Sequence, residues 1–484
     1  MLFNSIEYLI FFPLVVLIYY VIPKKYRYIW LLLASYYFYM CWSPEYAILI
    51  ALSTVITYLS GLGLDKAKIP GGYRATLAKM IVILSCVSNL SILFFYKYFQ
   101  WMIDNINNIF HSSLSIPFSI LLPVGISFYT FQALSYTIDV YRGEIEAEKN
   151  IIRYALFVSF FPQLVAGPIE RSANLLTQID EIHEKRFDYQ NVRSGLCLMI
   201  YGMFLKLVIS DRAAIYVDNV FDHYSQCGFL ELALAAVMFA IQILCDFNGY
   251  STIAKGSAKV LNIDLMDNFK QPYLATSIKQ FWRRWHISLT SWFTDYLYKP
   301  LGGSRKGIMR KMLNTMIVFG VSGLWHGASW HYVAWGILHG IFQNIGTVFD
   351  RFCNKNQVRE MTILGKIARI VITFMITDIA WVFFRAESCS QAIGFFRQMF
   401  ISFREQSLLE FGLRIHDWVI LGMAVALLLI VDIMHENGIR FREKIFAMPI
   451  YFRWSVYMLA VWGVLIFGIY GVEYDASQFI YFQF

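Results

Sequence analysis

Two histidines stand in aromatic surroundings within a chain that is otherwise poor in charge. His286 lies in Phe281-Trp-Arg-Arg-Trp-His-Ile-Ser-Leu-Thr-Ser-Trp-Phe293, and His326 lies 40 positions later (326 − 286) in Trp325-His-Gly-Ala-Ser-Trp330. An ionisable side chain beside apolar runs is expensive in a bilayer, so its presence marks a functional site by default. His326 closes the run Met316-Ile-Val-Phe-Gly-Val-Ser-Gly-Leu-Trp325 and is followed by Gly327-Ala328, small residues that let a ligand or another backbone approach. Burial disfavours the charged imidazolium, and a neutral imidazole is what a general base requires. The other reading of His326 is a hydrogen-bonded packing histidine. His286 has Arg283 and Arg284 beside it. Guanidinium forks suit phosphates, and the neighbouring rings of Trp282 and Trp285 offer faces for a nucleotide base. A basic segment leading into an embedded histidine fits an acyl-coenzyme A donor, with phosphates outside and thioester inside. A polybasic stripe that only binds anionic lipid fits the same charges.

His339, in Trp335-Gly-Ile-Leu-His-Gly340, either faces the same cavity or supports it, and His331 is the weaker candidate of the two. Two further clusters interrupt apolar runs: Phe161-Pro-Gln-Leu-Val-Ala-Gly-Pro-Ile-Glu-Arg171 and Asp246-Phe-Asn-Gly-Tyr250. Each either lines a tunnel or is a structural break, since Pro and Gly at membrane depth are tolerated where backbone lines a cavity or packs on protein. No glycine-rich phosphate cradle, GxSxG elbow or HExxH motif occurs, so a serine nucleophile is not signalled. Seven cysteines (Cys41, Cys86, Cys197, Cys227, Cys245, Cys353, Cys389) are scattered without ligand spacing. They are expected to be small packing residues, with neither a metal site nor a disulfide framework.

The elements that hold these residues are membrane helices. The 484 residues are 58% hydrophobic, 18% aromatic and only 15% charged, against roughly a quarter charged in soluble domains. Too little charge is available to wet a globular surface. Apolar runs at 6–22, 28–42, 45–63, 77–97, 115–138, 151–168, 192–211, 229–247, 309–324, 330–349, 364–384, 416–433 and 453–471 allow roughly ten to thirteen spanning or re-entrant helices at about 20 residues each. The expected fold is therefore an all-α polytopic bundle, one domain over residues 1–484, around a central tunnel. The first run lacks a basic n-region and a cleavage site, and reads as a retained span.

Loop charge sets the orientation. Lys24, Lys25 and Arg27 follow the first run, and Arg440, Arg442, Lys444 and Arg453 precede the last. Both ends are then expected outside the cytoplasm, with the acidic, aromatic tail 471–484 on the outer face. The number of true crossings is then even, so at least one of the thirteen runs should not cross. The segment from about 248 to 311 is weakly apolar and basic: between Lys279 and Lys311 it holds Lys279, Arg283, Arg284, Lys299, Arg305, Lys306, Arg310 and Lys311 against the single acid Asp295. It is expected to face the cytoplasm as short amphipathic helices at the interface. The net charge of +8 does not indicate nucleic acid.

Phe281-Trp-Arg-Arg-Trp-His-Ile-Ser-Leu289, Asp295-Tyr-Leu-Tyr-Lys-Pro-Leu-Gly-Gly-Ser-Arg305 and Gly323-Leu-Trp-His-Gly-Ala-Ser-Trp330 resemble the membrane-bound O-acyltransferases. The nearest branch is that of the alginate O-acetyltransferase membrane subunits, which Phe161–Arg171 and Phe479-Ile-Tyr-Phe-Gln-Phe484 also resemble. The resemblance implies that His326 is the family's essential histidine and His286 its second, more variable polar position. Both would face a tunnel open to the cytoplasm and the exterior, with Trp285, Trp325 and His339 lining or supporting it. It implies acetyl-CoA as donor substrate, held by some of Arg283, Arg284, Arg305 and Lys306, with no permanently bound cofactor. It also implies an extracytoplasmic SGNH-hydrolase-like partner that passes the acetyl group to a polysaccharide. The Leu301-Gly-Gly-Ser-Arg305 match favours this branch over teichoic-acid D-alanylation. A transporter of acylated substrate and a scaffold for an exopolysaccharide machine are the rivals from other classes. Transporters commonly carry paired broken repeats, and none is visible.

Overall fold

The computed structural model describes residues 1–69, 72–117, 120–165, 167–352, 362–403, 407–470 and 480. Apart from Ile480, the tail 471–484 lies outside the described residues, as do Cys353 and Ala166. The chain is helical almost throughout, with one two-residue antiparallel pairing of Lys68–Ile69 with Gly72–Tyr73. Among the described residues, seven helices are long and apolar enough to cross a membrane: Pro44–Ala67, Ala75–Lys97, Tyr189–Asp222, Phe229–Val260, Ile363–Arg385, Ile415–Glu436 and Ile450–Phe467. Ile6–Val21 and Ile151–Leu164 are apolar but shorter.

The surface is apolar where a soluble protein's would be polar. On Ile6–Val21, Ile6, Leu9, Ile10, Leu14, Leu17 and Val21 are exposed while Tyr8, Phe12, Val15 and Tyr19 are buried. Nearly every residue of Ile450–Phe467 faces outward, with only Val464 buried. Hydrocarbon tails are as apolar as leucine, so what holds such helices together is close packing and buried polar contacts. The fold is that of an all-α, multi-pass membrane protein.

Two compact units emerge from the chain: Met1–Met199 with Ser251–Met266, and Ile200–Tyr250 with Asp267–Phe484. In the first, the helix Ile126–Arg142 is buried on almost all sides, with every residue from Ile126 to Val140 except Ile138 inside. Uncharged hydrogen bonds tie its neighbours together. Ser53 Oγ donates to Asn89 Oδ1 (2.6 Å), Tyr154 Oη to Thr57 Oγ1 (2.7 Å), and Gln132 Nε2 to the Phe157 carbonyl (2.6 Å). The Phe161–Arg171 stretch forms the short helix Phe161–Leu164 and then a turn. There the buried Glu170 accepts from the Met266 amide (2.6 Å) and from Asn174 Nδ2 (2.7 Å). Its acid therefore secures a loop within this unit.

In the second unit, Asp246-Phe-Asn-Gly-Tyr250 does not break its helix, which continues as Phe229–Val260. The polar residue is explained by a partner that spacing does not reveal. Lys206 Nζ lies 2.6 Å from Asp246 Oδ1 and 2.8 Å from Asp211 Oδ1, with Lys206 and Asp246 each 1% exposed. Lys206 sits in a π-helical stretch, Phe204–Ser210, whose irregular turns free backbone groups for other partners. The Leu207 carbonyl accepts from the Ile469 amide (3.0 Å), and Asp246 Oδ2 accepts from the Ile480 amide (2.8 Å). Lys206→Met would strand buried carboxylates, which costs about 3–5 kcal/mol. We expect a clear fall in the thermal midpoint of the detergent-solubilised protein, and an unchanged midpoint would contradict this role for the cluster.

Candidate functional site

Every residue proposed for chemistry lies in the second unit. The two helices that carry the site are Ile308–His326 and Trp330–Phe352, which realise the expected runs 309–324 and 330–349 but are too polar to count among the seven clear spans. They pack on glycine. A β-carbon on Gly323 would collide with the Tyr332 carbonyl oxygen, and one on Gly336 with the Phe319 carbonyl oxygen. Lower down, one on Gly340 would lie 2.8 Å from Met316 Sδ. Such small-residue seams allow backbones to approach closely.

The seam places His326, the last residue of its helix, against the second helix. His326 is 4% exposed, and three rings wall it nearly edge-on: Trp325 at 5.0 Å, Trp335 at 4.9 Å and Phe384 at 5.3 Å between centroids. The Trp325 indole also lies 6.1 Å from the His286 ring. The Trp335 indole lies 5.1 Å from the His339 ring. The histidines and tryptophans thus alternate in one file, His286, Trp325, His326, Trp335, His339. Sequence spacing brought His286 and His326 under suspicion separately, and the fold joins them through Trp325.

His286 stands between the short helices Ile278–Arg284 and Ile287–Phe293. These helices bury Phe281, Trp282, Trp285, Leu289, Trp292 and Phe293, so their aromatic faces belong to the unit's core. His286 is 1% exposed and has a left-handed backbone (φ 42°, ψ 55°), an uncommon conformation for a residue with a β-carbon. The Phe247 ring meets it edge-on at 4.6 Å, and Ser288 Oγ lies 3.5 Å from its Nδ1. Burial pushes its imidazole down to about 3, so it is neutral at physiological pH.

His339 is fully buried among the rings of Trp282 (4.9 Å), Trp335, Phe319 and Trp381, and Trp285 packs on Trp381 at 4.9 Å behind them. Neither of its ring nitrogens has a hydrogen-bond partner among the described residues, and the same holds for Nε1 of Trp282 and Trp335. Buried polar atoms are normally paired, so this cluster is unusual. His331 is ordinary by contrast, its Nδ1 donating to the Phe383 carbonyl at 3.1 Å.

The four cations divide. Arg283, Arg305 and Lys306 are exposed. Arg284 is half-buried and engaged in a two-pronged ion pair with Glu436, at 2.7 and 3.1 Å, so a ligand phosphate would have to compete for it. The Leu301–Gly307 loop turns through left-handed glycines at Gly302, Gly303 and Gly307. It is tied down where Asn314 Nδ2 donates to the Gly303 carbonyl (3.0 Å) and Arg310 to the Leu301 carbonyl (3.3 Å), leaving Arg305 and Lys306 pointing outward from its tip. Among the described residues no group of three or more His, Cys, Asp or Glu side chains is placed to hold a metal ion. The six described cysteines are free thiols.

Sequence reasoning passed over the ring contacts of Trp335, Phe247 and Phe384 with the histidines. A signal existed for Trp335, which lies four residues before His339 and so on the same helical face. None existed for Phe247 and Phe384, which arrive from distant helices.

This histidine at a glycine-packed helix end, boxed in tryptophan and preceded by basic residues, lies within the part of the chain that matches the membrane-bound O-acyltransferase family. The chain belongs to that family, whose pattern it matches over residues 18–386, and it is an O-acyltransferase. It is 37% identical over 404 residues to the probable alginate O-acetylase AlgI of Pseudomonas aeruginosa, covering 83% of this chain and 75% of that one. It is 34% identical over 395 residues to the peptidoglycan O-acetyltransferase of Helicobacter pylori, covering 77% and 73%. With the teichoic acid D-alanyltransferase of Bacillus subtilis the identity is 25% over 265 residues, covering 53% and 67%.

The glycine seam can be tested without touching chemistry. Gly336→Ala should force the two helices apart and cost about 1–3 kcal/mol, the usual scale of overpacking. Gly320→Ala, on the same helix as Gly323 but with nothing within 4 Å of an added β-carbon, should leave stability unchanged or raised. Equal thermal midpoints for the two variants would show that the seam does not constrain the site.

Proposed function

We propose that this protein takes an acetyl group from acetyl-CoA at the cytoplasmic face of a bacterial plasma membrane and passes it across for O-acetylation of an extracellular polysaccharide. The observation that carries this reading is the helix Ile308–His326. Arg305 and Lys306 lie exposed just before its start, and His326 lies buried at its end. Nineteen residues of helix separate the two by about 28 Å, so a phosphate-binding end and a buried histidine stand at opposite ends of one element.

In this mechanism the His326 imidazole takes the proton of an acceptor hydroxyl as its oxygen attacks the thioester carbonyl. The C–S bond breaks, and the departing thiolate takes the proton back from the imidazolium. Such assistance is worth about 10²–10⁴-fold. His286 orients the reacting groups across Trp325. Trp285 and His339 support the site from the core side. Arg283, Arg305 and Lys306 hold the donor phosphates, with Arg284 able to join only by leaving Glu436. The acceptor reading draws on relatives named for alginate and peptidoglycan O-acetylation, and the weaker likeness to a D-alanyltransferase favours acetyl as the transferred group. The hydroxyl acylated at His326 belongs to an extracytoplasmic hydrolase-like partner, whose ester then breaks as a sugar hydroxyl takes the acetyl group and the partner's hydroxyl is restored. Basic residues at Lys24–Arg27 and Lys279–Lys311 support a cytoplasmic position for those loops, with both chain ends outside.

The test is sidedness. In sealed vesicles holding the protein in one orientation, acetyl-CoA should be consumed, with release of free thiol, only from the face that carries residues 279–311. Arg305→Glu with Lys306→Glu should raise KM by about tenfold or more, with kcat little changed, because two phosphate contacts become repulsions. Equal turnover from both faces, or an unchanged KM, would contradict the proposal, and absence of thiol release would favour a transporter.

A further inference from the structure

We propose that Asn268 is the positioning residue of His286: from outside the helix it takes the hydrogen bonds of the first-turn amides and so holds the left-handed turn that aims the imidazole. The proposal rests on the orienting role given to His286 above.

A residue at the start of a helix commonly caps it, its side chain accepting from the amides of the first turn. His286 occupies that position for Ile287–Phe293 and makes no such bond with its ring. The amides are satisfied by Asn268 instead. The Ile287 amide donates to the Asn268 carbonyl at 2.9 Å, and the Ser288 amide donates to Asn268 Oδ1 at 3.3 Å. Asn268 is itself buried, 3% exposed, so bulk water does not stand in for it.

The same short segment also holds the other side of the turn, because the Lys270 amide donates to the Arg284 carbonyl at 3.0 Å. Residues 268–270 therefore run along 284–288 and grip the chain before and after His286. That grip explains how a left-handed backbone persists at a residue with a β-carbon, a conformation that relaxes unless its surroundings hold it. The left-handed turn in turn aims the imidazole into the slot between Phe247 and Trp325. Releasing the Asn268 side chain would let the turn relax and swing the ring out of line with Trp325 and His326.

The experiment is a double-mutant cycle on the full-length protein in membranes. Asn268→Ala and Asn268→Asp are each made in the wild-type and the His286→Asn backgrounds, since asparagine tolerates the left-handed conformation. Thiol release from acetyl-CoA and the thermal midpoint are measured for each. Asn268→Ala should lower kcat by about tenfold, the scale of one lost buried hydrogen bond, with KM unchanged. Asn268→Asp keeps an accepting oxygen at the same reach and should recover most of that loss. In the His286→Asn background, Asn268→Ala should change kcat less than about twofold, because coupled residues are not additive. An equal fold-loss in both backgrounds would overturn the proposal and leave Asn268 a purely structural residue. Full turnover by His286→Asn alone would instead remove the role of His286, a separate and recognisable failure. If Asn268→Ala does not accumulate, Asn268→Ser, whose hydroxyl falls short of the Ser288 amide, replaces it in the same cycle: a loss confined to the wild-type background supports the proposal, and an equal loss in both overturns it.

Discussion

The close approach of Ile308–His326 to Trp330–Phe352 is the constraint on which the site depends. Gly323 lies beneath the Tyr332 carbonyl and Gly336 against the Phe319 carbonyl, where no β-carbon fits. Because the backbones touch, the ring of Trp335 reaches His326 from one helix and Trp325 reaches it from the other. A wider spacing would leave His326 at a loose helix end. With this spacing it becomes the middle member of a His–Trp–His–Trp–His file, whose outer members come from the 281–293 segment and from one turn further down the second helix.

The solvent supplies the second constraint. Lipid offers no hydrogen bonds, so polar groups must be satisfied internally or serve a purpose. The first unit links buried polar side chains in neutral pairs such as Ser53–Asn89 and Thr57–Tyr154. The second accepts a more expensive arrangement, a lysine between two aspartates on a π-helical stretch. It also holds His339 with both ring nitrogens unpaired among the described residues. Departures from local satisfaction gather at functional sites, and here they gather within the unit that carries His286 and His326.

Much of the architecture was legible in the sequence, because apolar runs of spanning length leave few alternatives. The clearest discrepancies come from partners that sequence order hides. Asp246 looked like the end of a span and is an interior ion-pair member, because Lys206 comes to it from 40 positions away (246 − 206). The run 115–138 was expected as one helix, yet the helix occupies Ile126–Arg142 and begins after the left-handed Gly125, whose β-carbon would lie 2.7 Å from the Leu164 carbonyl oxygen. The histidines were legible because aromatic and glycine neighbours mark them. The division among the cations was not, because nothing near Arg284 in sequence announces Glu436. Asn268 was invisible for the same reason: its contribution is two hydrogen bonds to a turn 18 positions on (286 − 268).

In the proposed mechanism the chemistry turns on His326, which is walled by Trp325, Trp335 and Phe384. Release of CoA thiol from acetyl-CoA by purified protein in vesicles, comparing wild type with His326→Gln at equal amounts of folded protein, tests this role. We expect a fall of about 10²–10⁴-fold in kcat, the range of general-base assistance, with the thermal midpoint preserved. Undiminished thiol release by His326→Gln would contradict it.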